Sequence, residues 1–387
     1  MSLDDEAREE LRQLEAAHHL RGVRIVDGAQ GPHVTLDGAD VLSLASNDYL
    51  GLAGDRRLAQ AAARALDEGG VGAGASRLIS GTHRAHAALE AALADWTRRD
   101  GARLFGSGYA ANTGVIATLA RAGAAVFSDE LNHASIIDGC RLSRAEVVVY
   151  PHRDLAALEA ALARSTHRRR LVVSESLFSM DGDLADVPGL AAVCARHGAA
   201  LVLDEAHAMG VLGPEGRGLA AAHGVVPDVL IGTCGKALGT YGAFAATTRA
   251  IADLLWNRAR PFVFSTAMPP AVAAATLASL EIVRGSEGDA RRQTLASHAR
   301  RVREALPAAG GAAESPIVPI LVGDDRRTMA LSARLLEERI FVQGIRPPTV
   351  PPGTARLRLG LVATLSEPDR ERAIAALANA LRKEGMH

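Results

Sequence analysis

Short apolar runs recur through the middle of the chain, each separated from the next by a longer stretch of helical periodicity. The runs are ARLF (102–105), AAVF (124–127), EVVVY (146–150), RLVV (170–173), AALVL (199–203), DVLIGT (228–233) and GAFAAT (242–247). Several are unbroken Val/Leu/Ile stretches rather than apolar–polar alternations, which suits strands buried on both faces of a largely parallel sheet. Segments between them are amphipathic. DVPGLAAVCARHG, for example, has Pro near its start and Gly past its end, as a helix favours. Alternating strands and helices predict an α/β fold. After about residue 285 the texture changes. EGDARRQTLASHARRVREAL reads as a charged helix, and IVPILVGD and ARLRLGL read as strands. SEPDRERAIAALANALRKEG reads as a closing helix, with Ser366 and Asp369 as a capping-box-like start and Gly385 at its end. The expected division is an N-terminal segment at 1–45, a large domain at 46–285 and a smaller α+β domain at 286–387.

Composition narrows the function. With 387 residues, 48% hydrophobic and 22% charged, the chain has material for a real core. Aromatics are only 3%, so that core must be built from Val, Leu, Ile and Ala. A net charge of −1 provides no basic field for nucleic acid or a membrane surface. Three cysteines, Cys140, Cys194 and Cys234, with no C-x-x-C spacing, argue against a disulfide framework or a metal site and suit a reducing cytoplasm. The acidic N-terminus lacks the basic start and apolar run of a signal peptide. The longest uncharged stretch, Pro261 to Leu280, carries three prolines and makes a poor membrane span.

The residues with chemical potential cluster at predicted strand ends. In LVLDEAHAMG, Asp204 follows a buried strand and His207 lies three positions on; in TCGKALG, Lys236 follows the next strand in a Gly-flanked loop. Ligands of parallel sheets bind at the C-terminal rim of the strands, so a carboxylate, an imidazole and an amine would converge there. Pyridoxal phosphate needs such a set: a lysine for its aldehyde and a carboxylate to keep its ring nitrogen protonated. LFGSGYAAN (104–112) runs from a strand into Gly106-Ser107-Gly108 and then a helix, where backbone N–H groups could cradle a phosphate. His133, in NHASIIDGCRLS, lies just after a strand. Any one of these is most often an ordinary polar residue; the ordered set is what counts. Two other motifs pull elsewhere. GSGYAA mimics a dinucleotide fingerprint with Asp129 downstream, but a lone match is weak and leaves Lys236, Asp204 and His207 without a role. DEAH (204–207) mimics a nucleotide motif, yet the only phosphate-loop candidate, GTCGKA, is too short and lies on the wrong side of it. A nucleotide-binding protein is therefore the remote alternative.

Eight ordered segments then resemble the α-oxoamine synthases, fold-type I pyridoxal-phosphate enzymes that condense an amino acid with an acyl thioester. They are SNDYLGL (46–52), SGYAAN, NHASIIDGCRLS, SLFSMDGD (176–183), DEAH, TCGKALG, FSTAMPP (264–270) and RPPTVPPGTARLRL (346–359). The resemblance implies a large domain with a mixed, mostly parallel seven-stranded sheet covered by helices, and a smaller α+β C-terminal domain. The last segment is most similar to the branch that joins L-alanine to a pimeloyl thioester, on coenzyme A or acyl carrier protein, in biotin synthesis. A relative using glycine and another acyl group is the alternative. By this resemblance Lys236 would hold the cofactor as a Schiff base and later move the Cα proton. Asp204 would pair with the ring nitrogen, His207 with the phenolic oxygen, and His133 would stack on the ring. Gly108, Tyr109 and Thr233 would bind the phosphate and Ser179 the cofactor. Asn47 and Arg358 would hold the amino-acid carboxylate, with Arg21 and Thr349 on the substrate side. Thr266 would reach the phosphate of a neighbouring subunit, which implies a homodimer with interfacial sites.

Overall fold

The computed structural model describes residues 2–386; Met1 and His387, which end the first and last expected segments, lie outside it. The chain divides into two compact units, one of 48–179 and 183–294, the other of 1–47, 180–182 and 295–387.

The larger unit is built on seven strands: β1 (Gly101–Phe105), β2 (Ala124–Asp129), β3 (Glu146–Tyr150), β4 (Arg169–Glu175), β5 (Ala200–Asp204), β6 (Val229–Thr233) and β7 (Ala243–Thr247). Their order across the sheet is β1-β7-β6-β5-β4-β2-β3. Strands β2 to β6 pair in parallel, and β7 is antiparallel to both β1 and β6. Every run read as a strand is one, and the mixed, mostly parallel sheet follows from their order. Residues of β2, β6 and β7 are all buried, which is why their sequences carry no alternation. The exception is EVVVY. It forms the edge strand β3, where Val147 is 41% and Val149 61% exposed.

Helices complete the unit. Helix α1 (Gly108–Leu119) and helix α2 (Ala134–Ser143) pack with the sheet, placing Val115, Ile116 and Ile136 in one core with Val126, Val173, Val202 and Ile231. Each such side chain contributes about 1.5–3 kcal/mol by leaving water. DVPGLAAVCARHG becomes the helix Val187–His197, capped by the Asp186 side chain at one end and by Gly198 in the left-handed conformation at the other. The three cysteines are buried, free thiols.

The smaller unit holds two sheets. One is antiparallel, ordered Ile317–Gly323, Ala355–Gly360, Gln343–Ile345. The other runs Val26–Asp27, His33–Leu36, Ala39–Ser43 and Ile340–Phe341, the last pair parallel. The closing helix Glu367–Lys383 starts where the Ser366 hydroxyl accepts the Asp369 N–H at 3.2 Å and donates to its carboxylate at 2.6 Å. Among the described residues no helix is long and apolar enough to cross a membrane, and no cluster of His, Cys, Asp and Glu could hold a metal ion.

Candidate active site

Strands β2, β4, β5 and β6 run in parallel, so their C-terminal ends share one rim. Strand β4 ends on Glu175, β5 on Asp204 and β6 on Thr233, and the segments after β2, β5 and β6 carry His133, His207 and Lys236. A cavity of about 190 Å³ opens there, lined by Gly108, Tyr109, Asn112, His133, Ser135, Glu175, Asp204, Ala206, His207, Thr233 and Lys236.

Asp204 is 6% exposed, and both its oxygens are fixed. Oδ1 accepts the Ala206 N–H at 2.8 Å and Oδ2 accepts from Asn112 Nδ2 at 2.6 Å. The next residue of DEAH faces away: the buried Glu205 carboxylate accepts the Leu219 and Ala220 N–H groups, both at 2.8 Å. Burial pushes Glu205 up to about 7. Gly218 makes that contact possible, since its φ of +92° suits glycine and a Cβ there would lie 1.5 Å from the Glu205 carboxylate. The nucleotide-motif appearance of DEAH thus dissolves into two jobs, a carboxylate for the cavity and a clasp for the loop behind it.

The imidazoles are held by neighbours. His133 caps α2, its Nδ1 accepting the Ser135 N–H at 3.2 Å and lying 2.8 Å from the Ser135 hydroxyl. Because Nδ1 accepts the Ser135 N–H it carries no proton, so the serine hydroxyl, which accepts from Asn112 Nδ2 at 2.9 Å, donates onward to it. With Nδ1 accepting twice, the proton of neutral His133 sits on Nε2. Burial lowers its pKa; the Asp204 charge works against this and Lys236 reinforces it. His207 bridges the Lys236 amine, 2.9 Å from Nε2, and the Tyr49 hydroxyl, 2.6 Å from Nδ1.

At the other end of the cavity, Ser107 caps α1 by accepting the Ala110 N–H at 3.0 Å. The first N–H groups of that helix, at Gly108 and Tyr109, have no acceptor within it, and the space over Gly108 is open. The Thr233 hydroxyl donates to the Gly242 carbonyl at 3.1 Å and accepts the Gly235 N–H at 3.2 Å.

Of the residues singled out in the sequence, Gly108, Tyr109, His133, Asp204, His207, Thr233 and Lys236 come together here. Ser179 is buried nearby in sequence, its N–H reaching the Glu175 carboxylate, but it does not line the cavity. Thr266 is exposed, bridges to Ser76 and lies outside the cavity lining. The other four belong to the smaller unit: Arg358 donates to Asn47 Oδ1 at 3.2 Å, and Arg21 donates to the Thr349 hydroxyl at 3.0 Å. Sequence reasoning missed Tyr49, Asn112, Ser135 and Glu175. The first three lie inside SNDYLGL, SGYAAN and NHASIIDGCRLS; Glu175 carries no local signal, since Ser174 separates it from the apolar run that ends at Val173.

The donor set fits pyridoxal phosphate. The chain contains two lysines, and Lys383 is exposed on the closing helix, so Lys236 is the amine in the cavity. A buried carboxylate, an open helix N-terminus and a buried Asn112 Oδ1 with no partner among the described residues complete the fit.

The family model of class I and II aminotransferases matches residues 39–377. The 8-amino-7-oxononanoate synthase of Geobacter sulfurreducens is 50% identical over 385 residues, 97% of this chain and 98% of that one. Its counterpart in Anaeromyxobacter dehalogenans is 50% identical over 377 residues, 96% and 94%. Among solved structures, a serine palmitoyltransferase variant from S. paucimobilis with bound cofactor and myriocin is 31% identical, with a TM-score of 0.93 over 98% of both chains. The 8-amino-7-oxononanoate synthase of Francisella tularensis is 27% identical, with a TM-score of 0.76 over 89% of this chain and 99% of that one. The chain belongs to the class I and II aminotransferase family, within it to the 8-amino-7-oxononanoate synthases of biotin biosynthesis, and its cofactor is pyridoxal phosphate.

Proposed function

We propose that this chain joins L-alanine to a pimeloyl thioester, carried on coenzyme A or acyl carrier protein, giving 8-amino-7-oxononanoate, carbon dioxide and the free thiol. The observation that carries the reaction type is Lys236 facing Asp204 and His133 across one cavity. The named product of relatives at 50% identity supports the substrates.

Bound pyridoxal phosphate supplies an electron sink for the pair left at Cα. Lys236 would hold it, Asp204 would keep its ring nitrogen protonated, and His133 would stack on its face. His207 would bond its phenolic oxygen, Gly108, Tyr109 and Thr233 would seat its phosphate, and Ser179 would contact it. Thr266 would serve the phosphate of a second subunit in a homodimer. A negative charge beside the ring nitrogen is needed because an unpaired buried cation would lose its proton.

The remaining steps belong to side chains. Arg358, steered by Asn47, binds the alanine carboxylate as a charge-assisted pair. Arg21 and Thr349 would serve the acyl substrate. The Lys236 amine removes the Cα proton. The new Cα–carbon bond forms at the thioester carbonyl while Nε2–H of His133 donates to the developing oxyanion. The C–S bond then breaks and the thiolate takes a proton. The carboxylate leaves as carbon dioxide, and Lys236 returns a proton to Cα. Three buried free thiols and the lack of a membrane-crossing helix among the described residues suit work in the cytoplasm.

The test is to supply pimeloyl-CoA with L-alanine or glycine and follow carbon dioxide and the mass of the amino ketone. Turnover with alanine well above glycine is expected. Preference for glycine would move the chain to a sister reaction on the same residues.

A further inference from the structure

Glu175 lines the cavity but has no part in the scheme above. It ends β4 directly beside Asp204 at the end of β5, in register, so two acids share one rim about 4.8 Å apart in backbone spacing. Glu175 is 3% exposed, and its Oε1 accepts the His133 main-chain N–H at 2.6 Å. The Ser179 N–H reaches the same carboxyl group. Its own N–H is bound by Asn132 Oδ1 at 3.0 Å, which ties β4 to the segment carrying His133. A continuous chain of hydrogen bonds results: Glu175 to the His133 backbone, the His133 ring to Ser135, Ser135 to Asn112, and Asn112 to Asp204.

Resting on the function proposed above, we propose that Glu175 is a positioning residue that seats His133 over the cavity while remaining a neutral carboxylic acid, leaving Asp204 as the single negative charge at the rim. Two ionised carboxylates side by side would repel one another in a buried site. Groups favouring the charged form are Lys236, the His133 and Ser179 N–H groups, and the N-terminus of α2. Burial and the Asp204 charge outweigh them and push Glu175 up to about 8. His133, held neutral by its own burial, adds no positive charge to reverse that balance. A neutral acid still accepts the two N–H bonds without setting a second charge beside Asp204.

Glu175→Gln keeps an acceptor oxygen and cannot ionise, and Glu175→Ala removes the seat. The first measurement is the infrared difference between wild-type and Glu175→Gln holoenzymes, free of substrate, from pH 6 to 9.5. A carboxylic-acid C=O band is expected near neutral pH, weakening as pH rises. The second is kcat and KM at pH 7 with L-alanine and pimeloyl-CoA. Glu175→Gln should stay within about 3-fold of wild type, and Glu175→Ala should lose about 10²-fold in kcat through displacement of His133. Absence of the acid band, or a Gln variant as impaired as Ala, overturns the proposal. An Ala variant that matches Gln overturns it as well. If Ala does not fold, the infrared band and the Gln kinetics still decide. An inactive wild type would sink the substrate reading instead, while the infrared titration would still judge Glu175.

Discussion

His152 offers the sharpest stability test. It follows β3 and lies between two carboxylates, Nδ1 2.9 Å from Asp129 and Nε2 2.8 Å from Asp183. Its ring meets Phe178 edge-on, with centroids 4.4 Å apart. Burial pushes its pKa down, but Asp129 and Asp183 outweigh that and carry it from 6.5 to about 9. A difference of about 2.5 units is worth about 3 kcal/mol at 1.36 per unit. Solvent reaches a fifth of the side chain, so about 2–3 kcal/mol should survive screening. The folded pKa lies above the unfolded one. The stabilisation is therefore complete below about pH 6.5 and is lost as pH rises through about 9. His152→Gln removes the charge and keeps some hydrogen bonding. Thermal midpoints of both proteins, measured from pH 6 to 9.5, should differ most at the acid end. The gap should close with rising pH, each kcal/mol moving the midpoint by about 2–4 °C for a unit of this size. A gap that stays constant, or widens towards pH 9.5, would refute the assignment of a charged His152.

Three further outcomes are expected. Asp204→Asn leaves a buried cation unsupported, costing roughly 3–5 kcal/mol, or about 10²–10⁴-fold if it falls on kcat; near-normal steady-state rates would remove Asp204 from this role. Ser135→Ala takes the hydroxyl from His133 Nδ1 and Asn112, and kcat/KM should fall by about 5–30-fold for a loss of about 1–2 kcal/mol, with no change contradicting the tautomer derived for His133. Gly218→Ala collides with Glu205 at a positive φ, so urea unfolding should show at least about 2 kcal/mol of destabilisation; a neutral effect would mean the clasp is dispensable.

The sheet was legible because its strands are buried on both faces and so appear as plain apolar runs. Edge position is not written in such a run, which is why EVVVY looked like the others although Val149 is exposed. His207 and Lys236 were legible because each lies in a loop after a strand, and Asp204 because it directly breaks the apolar run Leu201-Val202-Leu203. Glu175, which ends β4 as Asp204 ends β5, was not: Ser174 separates it from the apolar run, and its meaning depends on the neighbour across the register. Long-range pairing was equally invisible: Ala39–Ser43 adds Ile340–Phe341 as a parallel neighbour from the far end of the chain. The Asn112 bridge from Asp204 to Ser135 depends on three segments meeting, and no local pattern announces it.

Lys236 holding pyridoxal phosphate is central to the proposed chemistry, and the chain's two lysines make this directly measurable. Reduction of the holoenzyme with borohydride, followed by proteolysis and mass mapping, fixes the cofactor to whichever amine carries it. One pyridoxyl adduct on the peptide containing Lys236 is the predicted result, with none in Lys236→Ala. An adduct on Lys383, or a wild-type protein that takes up no cofactor, would contradict the account.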